Sequence, residues 1–130
     1  MKNKLIAVFA LSLSCLVAAP AFADNVIQIW NCQLHDGKTG VDVMSVSSTW
    51  LEAAKKIEGG EDFNVLLRFP IAADAADDNF RFVLVVPDAK TWGLWVDNSL
   101  NDANLAVAND AWNEVASCSG SSMWAGVPIV

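Results

Sequence analysis

The two arginines of this chain, Arg68 and Arg81, are the side chains whose type and placement most directly indicate chemistry. Each lies in a run of alternating apolar residues that predicts a β-strand, and the alternation puts both on the same face of the sheet. Two guanidinium groups on paired strands can bind a carboxylate or another anion in a partly dry cleft. The sequence leaves a second interpretation open, in which both arginines form ion pairs with Asp or Glu across a dimer interface.

His35 is the only histidine and therefore the only candidate for an imidazole general base. It shares one face of the first predicted strand with Asn31 and Gln33, whose amides could assist it or bind a ligand. A single histidine beside a turn is more often a surface residue or a hydrogen-bonded structural residue, so this role stays an alternative.

The six tryptophans offer a third kind of site, a wall for an aromatic or sugar ring. Trp50, Trp92 and Trp112 follow the apolar stripes of predicted helices and are expected in the core. Trp95 or Trp124 remains available to line a pocket, with core packing as the alternative for both.

Several reaction types lack the residues that they need. The sequence has no Gly-x-Ser-x-Gly turn, no phosphate-binding loop and no His-Glu-x-x-His motif. Asp74, Asp77 and Asp78 lack the spacing of a calcium loop and are expected in a solvated turn. We therefore predict no metal and no cofactor.

Residues 1–23 have the pattern of a signal peptide: Lys2 and Lys4, an apolar run, and the cleavage site Ala21-Phe22-Ala23. The apolar run is too short for a membrane span. A lipidated Cys15 is the alternative. Cleavage would leave one domain, residues 24–130, with six basic and 15 acidic residues and a formal charge of −9. Such a charge argues against nucleic-acid binding and against attachment to anionic lipid, and export implies a periplasmic or secreted protein.

Cys32 and Cys118 remain after cleavage. In an oxidising compartment an even pair of cysteines predicts a disulfide, with two buried free thiols as the alternative. A zinc site is disfavoured, because His35 alone cannot complete the ligand set.

The order of predicted elements is strand, helix, strand, strand, helices, strand. The strands are expected at 26–34, 63–71, 79–87 and 122–130, the third being the strongest and apolar on both faces. The first helix begins at Thr39, which forms a capping box with Asp42, and ends at Glu58-Gly59-Gly60. A second helix opens at Pro87 and is expected to be short or broken, because Gly93 weakens it, and a third follows a possible capping pair of Ser99 and Asp102.

This order predicts an α+β fold, the ferredoxin-like βαββαβ sandwich, with a four-stranded antiparallel sheet in the order 4-1-3-2 and helices on one face. The face that the helices leave uncovered would be too apolar for an ordinary wet surface, yet it would carry Asn31, Gln33, His35, Arg68 and Arg81. Such a face is typical of an interface or a ligand groove. A twofold homodimer with the sheets face to face would bury it.

The element order over 26–130, and the passage from Phe80–Val86 through Pro87 into the Trp92 and Trp95 segment, resembles the dimeric α/β-barrel superfamily. That superfamily includes antibiotic-biosynthesis monooxygenase-like and NIPSNAP-like proteins. The resemblance implies a cleft between sheet and helices, or between subunits. Members that use haem need a histidine on a helix, and His35 lies at a strand end, so that role does not transfer.

Three functional hypotheses follow. The first is a homodimeric, non-enzymatic binding module for a small apolar or anionic molecule. The second is a cofactor-independent oxygenase or isomerase acting on an activated aromatic, which His35 or Arg68 would position. The third is a purely structural dimer.

Overall fold

The computed structural model describes residues 25–71 and 78–126. The expected signal peptide, most of the acidic loop and the last four residues lie outside these ranges. The chain forms β1 (Val26–Leu34), α1 (Gly40–Ala54), β2 (Asn64–Arg68), β3 (Asn79–Val86), α2 (Ala89–Ser99), α3 (Ala103–Asn113) and β4 (Ala116–Ala125). No helix among the described residues is long and apolar enough to cross a membrane.

The four strands form one antiparallel sheet in the order β2-β3-β1-β4. This order confirms the predicted ferredoxin-like arrangement. β3 lies between β1 and β2, and Phe82, Val83 and Leu84 at its centre are all buried. The strand with the strongest apolar pattern therefore occupies an interior position, where both of its faces need cover.

Each helix begins at a side chain that accepts hydrogen bonds from its first turn. Thr39 and Asp42 form the predicted capping box, and the Thr39 hydrogen bonds lower the pKa of the Asp42 carboxyl. Asp88 Oδ1 accepts from the Thr91 backbone N–H at 2.7 Å, and this bond lowers the pKa of Asp88. Asp102 caps α3 by accepting from the Leu105 N–H at 2.8 Å.

Two predictions about the helices are refined by the structure: the first left a short or a broken α2 open, and the second, on the cap of α3, was wrong. α2 runs unbroken through Gly93, since the packed tryptophans on either side outweigh the low helix propensity of one glycine. The capping residue of α3 is Asp102 itself rather than Ser99, whose hydroxyl donates to the Val96 carbonyl oxygen at the end of α2.

The layer between helices and sheet is filled by aromatic rings. Phe82 makes edge contacts with Trp30, Trp50 and Trp112 at centroid distances of 5.6, 5.5 and 5.7 Å. Trp112 Nε1 donates to Ser47 Oγ at 3.0 Å, so α3 is joined to α1 inside the core. Pairing the indole N–H groups lets these large side chains be buried without an unsatisfied donor.

Two strands differ in length from their predictions. β2 covers Asn64–Arg68 rather than 63–71. Phe69, just after its end, is 37% exposed and stacks on Phe80 at 5.5 Å, and Pro70 has no N–H for a ladder. β4 begins at Ala116, six residues earlier than predicted, and Cys118 therefore lies within this strand.

Cys32 and Cys118 are directly opposite one another on β1 and β4 and are joined by a disulfide. The bond connects the outermost strand β4 to the centre of the sheet. It closes a loop with a sequence separation of 86 residues. A crosslink of that span typically contributes about 2–4 kcal/mol to the free energy of unfolding.

Helices α1 and α2 meet at Gly59 and Gly60, in the segment that follows α1. Gly59 has a φ of +93°, and a Cβ there would lie 2.9 Å from the Thr91 carbonyl oxygen. A Cβ at Gly60 would overlap the Ala54 carbonyl oxygen and lie 2.8 Å from Trp95 Cδ1. The same Ala54 oxygen accepts the Trp95 Nε1 hydrogen bond at 3.1 Å, so the close approach fixes Trp95 in the core.

We expect Gly60→Ala to lower the free energy of unfolding by about 2 kcal/mol, because the new methyl group meets backbone that cannot move aside. Gly93→Ala is the matched control, since a Cβ at that helical position has open space around it. It should raise the free energy of unfolding by up to about 1 kcal/mol. Urea unfolding followed by tryptophan fluorescence measures both, and equal effects of the two changes would contradict the proposed close packing.

Candidate functional site

The open face, defined as the side of the sheet opposite the helices, consists of rows of side chains that the strand registers align. One row contains Arg68, Arg81, Asn31 and Ser119, and a shorter row beside it contains Asn79, Gln33 and Ser117. We call these the polar rows. Two more rows lie toward the opposite end of the strands. The first contains Leu66, Val83, Ile29 and Ser122, and the second contains Asn64, Val85, Ile27 and Trp124. We call these the apolar rows.

The polar rows line a groove of about 630 Å³. Phe69, Pro70, Phe80 and the two cysteines of the disulfide also line it. Its polar lining residues are Asn31, Gln33, Arg68, Asn79, Arg81, Ser117 and Ser119. Guanidinium, amide and hydroxyl groups can all donate hydrogen bonds. The groove is therefore suited to a ligand that presents acceptor oxygens.

Arg68 and Arg81 are directly opposite one another on β2 and β3. Like charges in opposite positions of an antiparallel pair destabilise the sheet. Both side chains are exposed, so water screens part of the repulsion. A bound anion between the two guanidinium groups would remove the remainder.

Gln33 is held in place by the residue that precedes β3. Its Nε2 donates to Asp78 Oδ2 at 2.6 Å, and the Leu34 N–H donates to the Asp78 carbonyl oxygen at 2.9 Å. Among the described residues, Asp78 Oδ1 is buried and accepts no hydrogen bond. The Gln33 amide thus uses its donor on Asp78.

Four of the residues proposed from sequence, Asn31, Gln33, Arg68 and Arg81, line this one groove. Whether they bind a ligand stays a prediction. Sequence reasoning missed Ser117 and Ser119, since a Ser- and Gly-rich segment has low β-propensity and was expected to precede the last strand. The predicted disulfide could have indicated them, because a bond from Cys118 to Cys32 in β1 requires the residues next to Cys118 to lie beside β1.

His35 and Trp95 lie away from the groove. His35 is exposed after the end of β1, with Nδ1 3.3 Å from the Glu114 carbonyl oxygen at the end of α3. Trp95 is 9% exposed and packs on the helix side against Phe63 at 5.2 Å. Neither side chain is positioned to contact a molecule bound between the arginines.

The apolar rows form a continuous patch on the same face. Leu66 and Trp124 at its two ends are 48% and 60% exposed, whereas Val83 between them is only 1% exposed. Trp124 reaches this face through a bulge opposite Trp30 and Asn31, where Gly120 adopts a φ of +65°. The extra residue shifts the alternation of β4, so that Ser122 and Trp124 follow Ser117 and Ser119 on the open face.

The described residues contain no group of three or more His, Cys, Asp or Glu side chains that could hold a metal ion. The lining residues of the groove themselves provide hydrogen-bonding groups and positive charge.

No described protein family and no curated protein matches the chain by sequence. Solved structures match it by fold. SnoaB, a cofactor-independent oxygenase from Streptomyces nogalater, superimposes with a TM-score of 0.54 at 10% identity, over 83% of this chain and 98% of that chain. A protein from Caulobacter crescentus, named for the antibiotic biosynthesis monooxygenases, superimposes with a TM-score of 0.52 at 7% identity, over 84% of this chain and 93% of that chain.

A dimeric ferredoxin-like protein of unknown function from Thermobifida fusca gives a TM-score of 0.50 at 14% identity, over 80% of this chain and 92% of that chain. At such identities the likeness extends to the fold alone. The chain therefore shares the ferredoxin-like fold of these proteins, as its element order predicted.

Proposed function

We propose that this protein is an exported homodimeric binding module that takes a small anionic ligand at the polar rows of its open face. The observation that carries the proposal is the register of Arg68 opposite Arg81 inside the groove. Two cations placed side by side reduce the stability of the sheet, and an anionic ligand bound between them would offset their repulsion. Asn31, Ser117 and Ser119 supply further donors around the same space.

The apolar rows support the dimer. Leu66 and Trp124 expose apolar surface at opposite edges of one sheet face, and a twofold axis through that face would bury both in each copy. The Thermobifida fusca protein of similar fold is described as dimeric. The polar rows would then lie at the rim of the interface, where a ligand can still enter.

Catalysis is the second candidate, since SnoaB is a cofactor-independent oxygenase. The space between sheet and helices, where the resemblance implies a cleft, is filled here by Trp30, Trp50, Phe82, Trp95 and Trp112. The one histidine, His35, follows β1 beside the Glu114 carbonyl oxygen, outside the groove. Binding without turnover is therefore the better supported of the two.

Export is proposed from residues 1–23 together with the disulfide. A signal peptide would deliver the chain to an oxidising compartment, and the Cys32–Cys118 bond is stable in such a compartment. The experiments below therefore use the chain from Asp24 onward with its disulfide formed.

We expect Leu66→Asp to convert the dimer to a monomer, because each interface would bury the new carboxylate without a partner. Val107→Asp is the matched control, as Val107 is 70% exposed on α3, on the helix side. Light scattering coupled to size-exclusion chromatography gives both masses. A dimer that survives Leu66→Asp would show that the apolar rows are not the interface.

We expect native mass spectrometry of protein purified from its own host to show a retained small anion. Arg81→Gln should remove this adduct, since one of its two cationic contacts is lost, and His35→Ala should leave it in place. An adduct that persists in Arg81→Gln would place the ligand elsewhere, and wild-type protein without any adduct would favour the purely structural dimer.

We expect Arg81→Gln to raise the free energy of unfolding by about 0.5 kcal/mol at low ionic strength, because the cross-strand repulsion disappears. The gain should vanish in about 0.5 M salt, because charges more than a few ångströms apart are screened from one another at that ionic strength. Lys90→Gln, at an exposed position in the first turn of α2, is the control. Urea titrations at both salt concentrations measure the difference, and a loss of stability in Arg81→Gln would mean that Arg81 already has a compensating partner.

A further inference from the structure

The two edges of the sheet differ in how they are protected from pairing with another strand. β2 is five residues long, ends at Arg68, follows Glu61 and Asp62, and precedes Pro70. Charges, proline and short length are the usual features that prevent edge-to-edge association. β4 is ten residues long, and residues 115–130 contain no charged residue and no histidine.

The half of β4 after the bulge presents its free backbone groups outward. The Gly126 N–H donates to the Asn25 carbonyl oxygen at 3.0 Å, which marks a hydrogen-bonded pair at that end of the ladder with β1. In an antiparallel ladder such pairs alternate with non-bonded ones. Ser121, Met123 and Ala125 therefore direct their N–H and C=O groups away from β1.

This half-strand is also free of cover from the rest of the described chain. Nine of the ten β4 residues are exposed, and Met123 is 47% exposed on the helix side of the sheet. Ala116 is the only β4 residue in the buried core among the described residues, so a new strand could approach the outer half of β4 in the plane of the sheet. An accessible edge with free donors and acceptors is a template for strand addition.

We propose that the segment Ser121–Ala125 pairs antiparallel with the same segment of a second copy, about a twofold axis at Met123. In this register Met123 is opposite the partner's Met123, and Ser121 is opposite the partner's Ala125. Every outward N–H of one segment then donates to an outward carbonyl of the other. The result is a continuous eight-stranded sheet formed from the two copies.

Charge favours a second copy as the occupant. The chain carries a formal charge of −7, so two copies repel one another over most of their surfaces. β4, like the apolar rows, is a place where two copies can meet without bringing like charges together, because residues 115–130 contain no charged residue. A twofold axis also makes a strand its own antiparallel partner, so the surface is complementary to itself.

The proposed edge contact does not use the open face. It lies in the plane of the sheet, whereas the dimer suggested by the apolar rows packs sheet against sheet. The inference therefore goes beyond the proposed binding function and can fail separately from it.

Amide hydrogen exchange of the mature chain, resolved by residue, tests the contact without any substitution. We expect the Ser121, Met123 and Ala125 amides to be protected at least tenfold more at high protein concentration than at low concentration. Exchange of these three amides that is unprotected, or independent of concentration, would overturn the proposal.

Met123→Pro is the sharpest variant, since it removes an outward N–H and leaves the donors to β1 intact. Met123→Ala is its control, because it shortens the side chain and keeps the N–H. We expect proline, but not alanine, to halve the mass measured by light scattering, with the disulfide and the tryptophan fluorescence unchanged. An unchanged mass in a folded Met123→Pro protein would overturn the edge contact; if this variant does not fold, the exchange measurement decides.

Combining these results with Leu66→Asp separates the two interfaces. Halving of the mass by Met123→Pro alone supports the edge contact and removes the open-face dimer. Halving of the mass by Leu66→Asp alone supports the open-face dimer and removes the edge contact. Halving by each change shows that both interfaces are present.

Discussion

The described helices cover only one of the two faces of the sheet, and this constraint determines where the core, the groove and the exposed apolar surface lie. On the covered face Phe82 of β3 is enclosed by three tryptophans. On the open face Val83 is 1% exposed, and β1 and β2 flank it with Ile29 and Leu66. The central part of β3 is thus buried on both faces of the sheet. The surface that remains apolar and accessible is at the margins of the open face.

The filling of the covered face depends on a close backbone approach. Gly59 and Gly60 leave room for Trp95, whose Nε1 donates to the Ala54 carbonyl oxygen at 3.1 Å. Trp50 Nε1 donates to Asn109 Oδ1 at 2.8 Å and connects α1 to α3. Indoles that are both packed and hydrogen-bonded are poorly suited to move aside for a ligand. A molecule that binds this fold therefore has more room on the open face than in the cleft that the resemblance implies.

The sequence predicted what local chemistry controls and missed what depends on distant partners. The Thr39–Asp42 capping box, the face of each arginine and the strand order follow from short-range patterns and chain topology, and the structure has all of them. The start of β4 does not follow, because its serines have low strand propensity and are held in the sheet by pairing with β1. The Gly120 bulge and the burial of Trp95 are likewise set by tertiary contacts. Alternation could place Arg68 and Arg81 on one face, but only the register shows that they are directly opposite.

The position of the polar rows beside the apolar rows has a thermodynamic consequence for the proposed module. Successive rows on one strand face are about 7 Å apart, so an anion between the arginines would lie at the border of a dimer formed through Leu66 and Trp124. Closing that dimer removes water from the border and lowers the local dielectric constant, which strengthens each contact between guanidinium and anion. Because coupling between two binding events is reciprocal, the anion must stabilise the dimer by the same free energy. For a chain with a net charge of −7, whose long-range field repels anions, this short-range gain is the main source of affinity that the open face can offer.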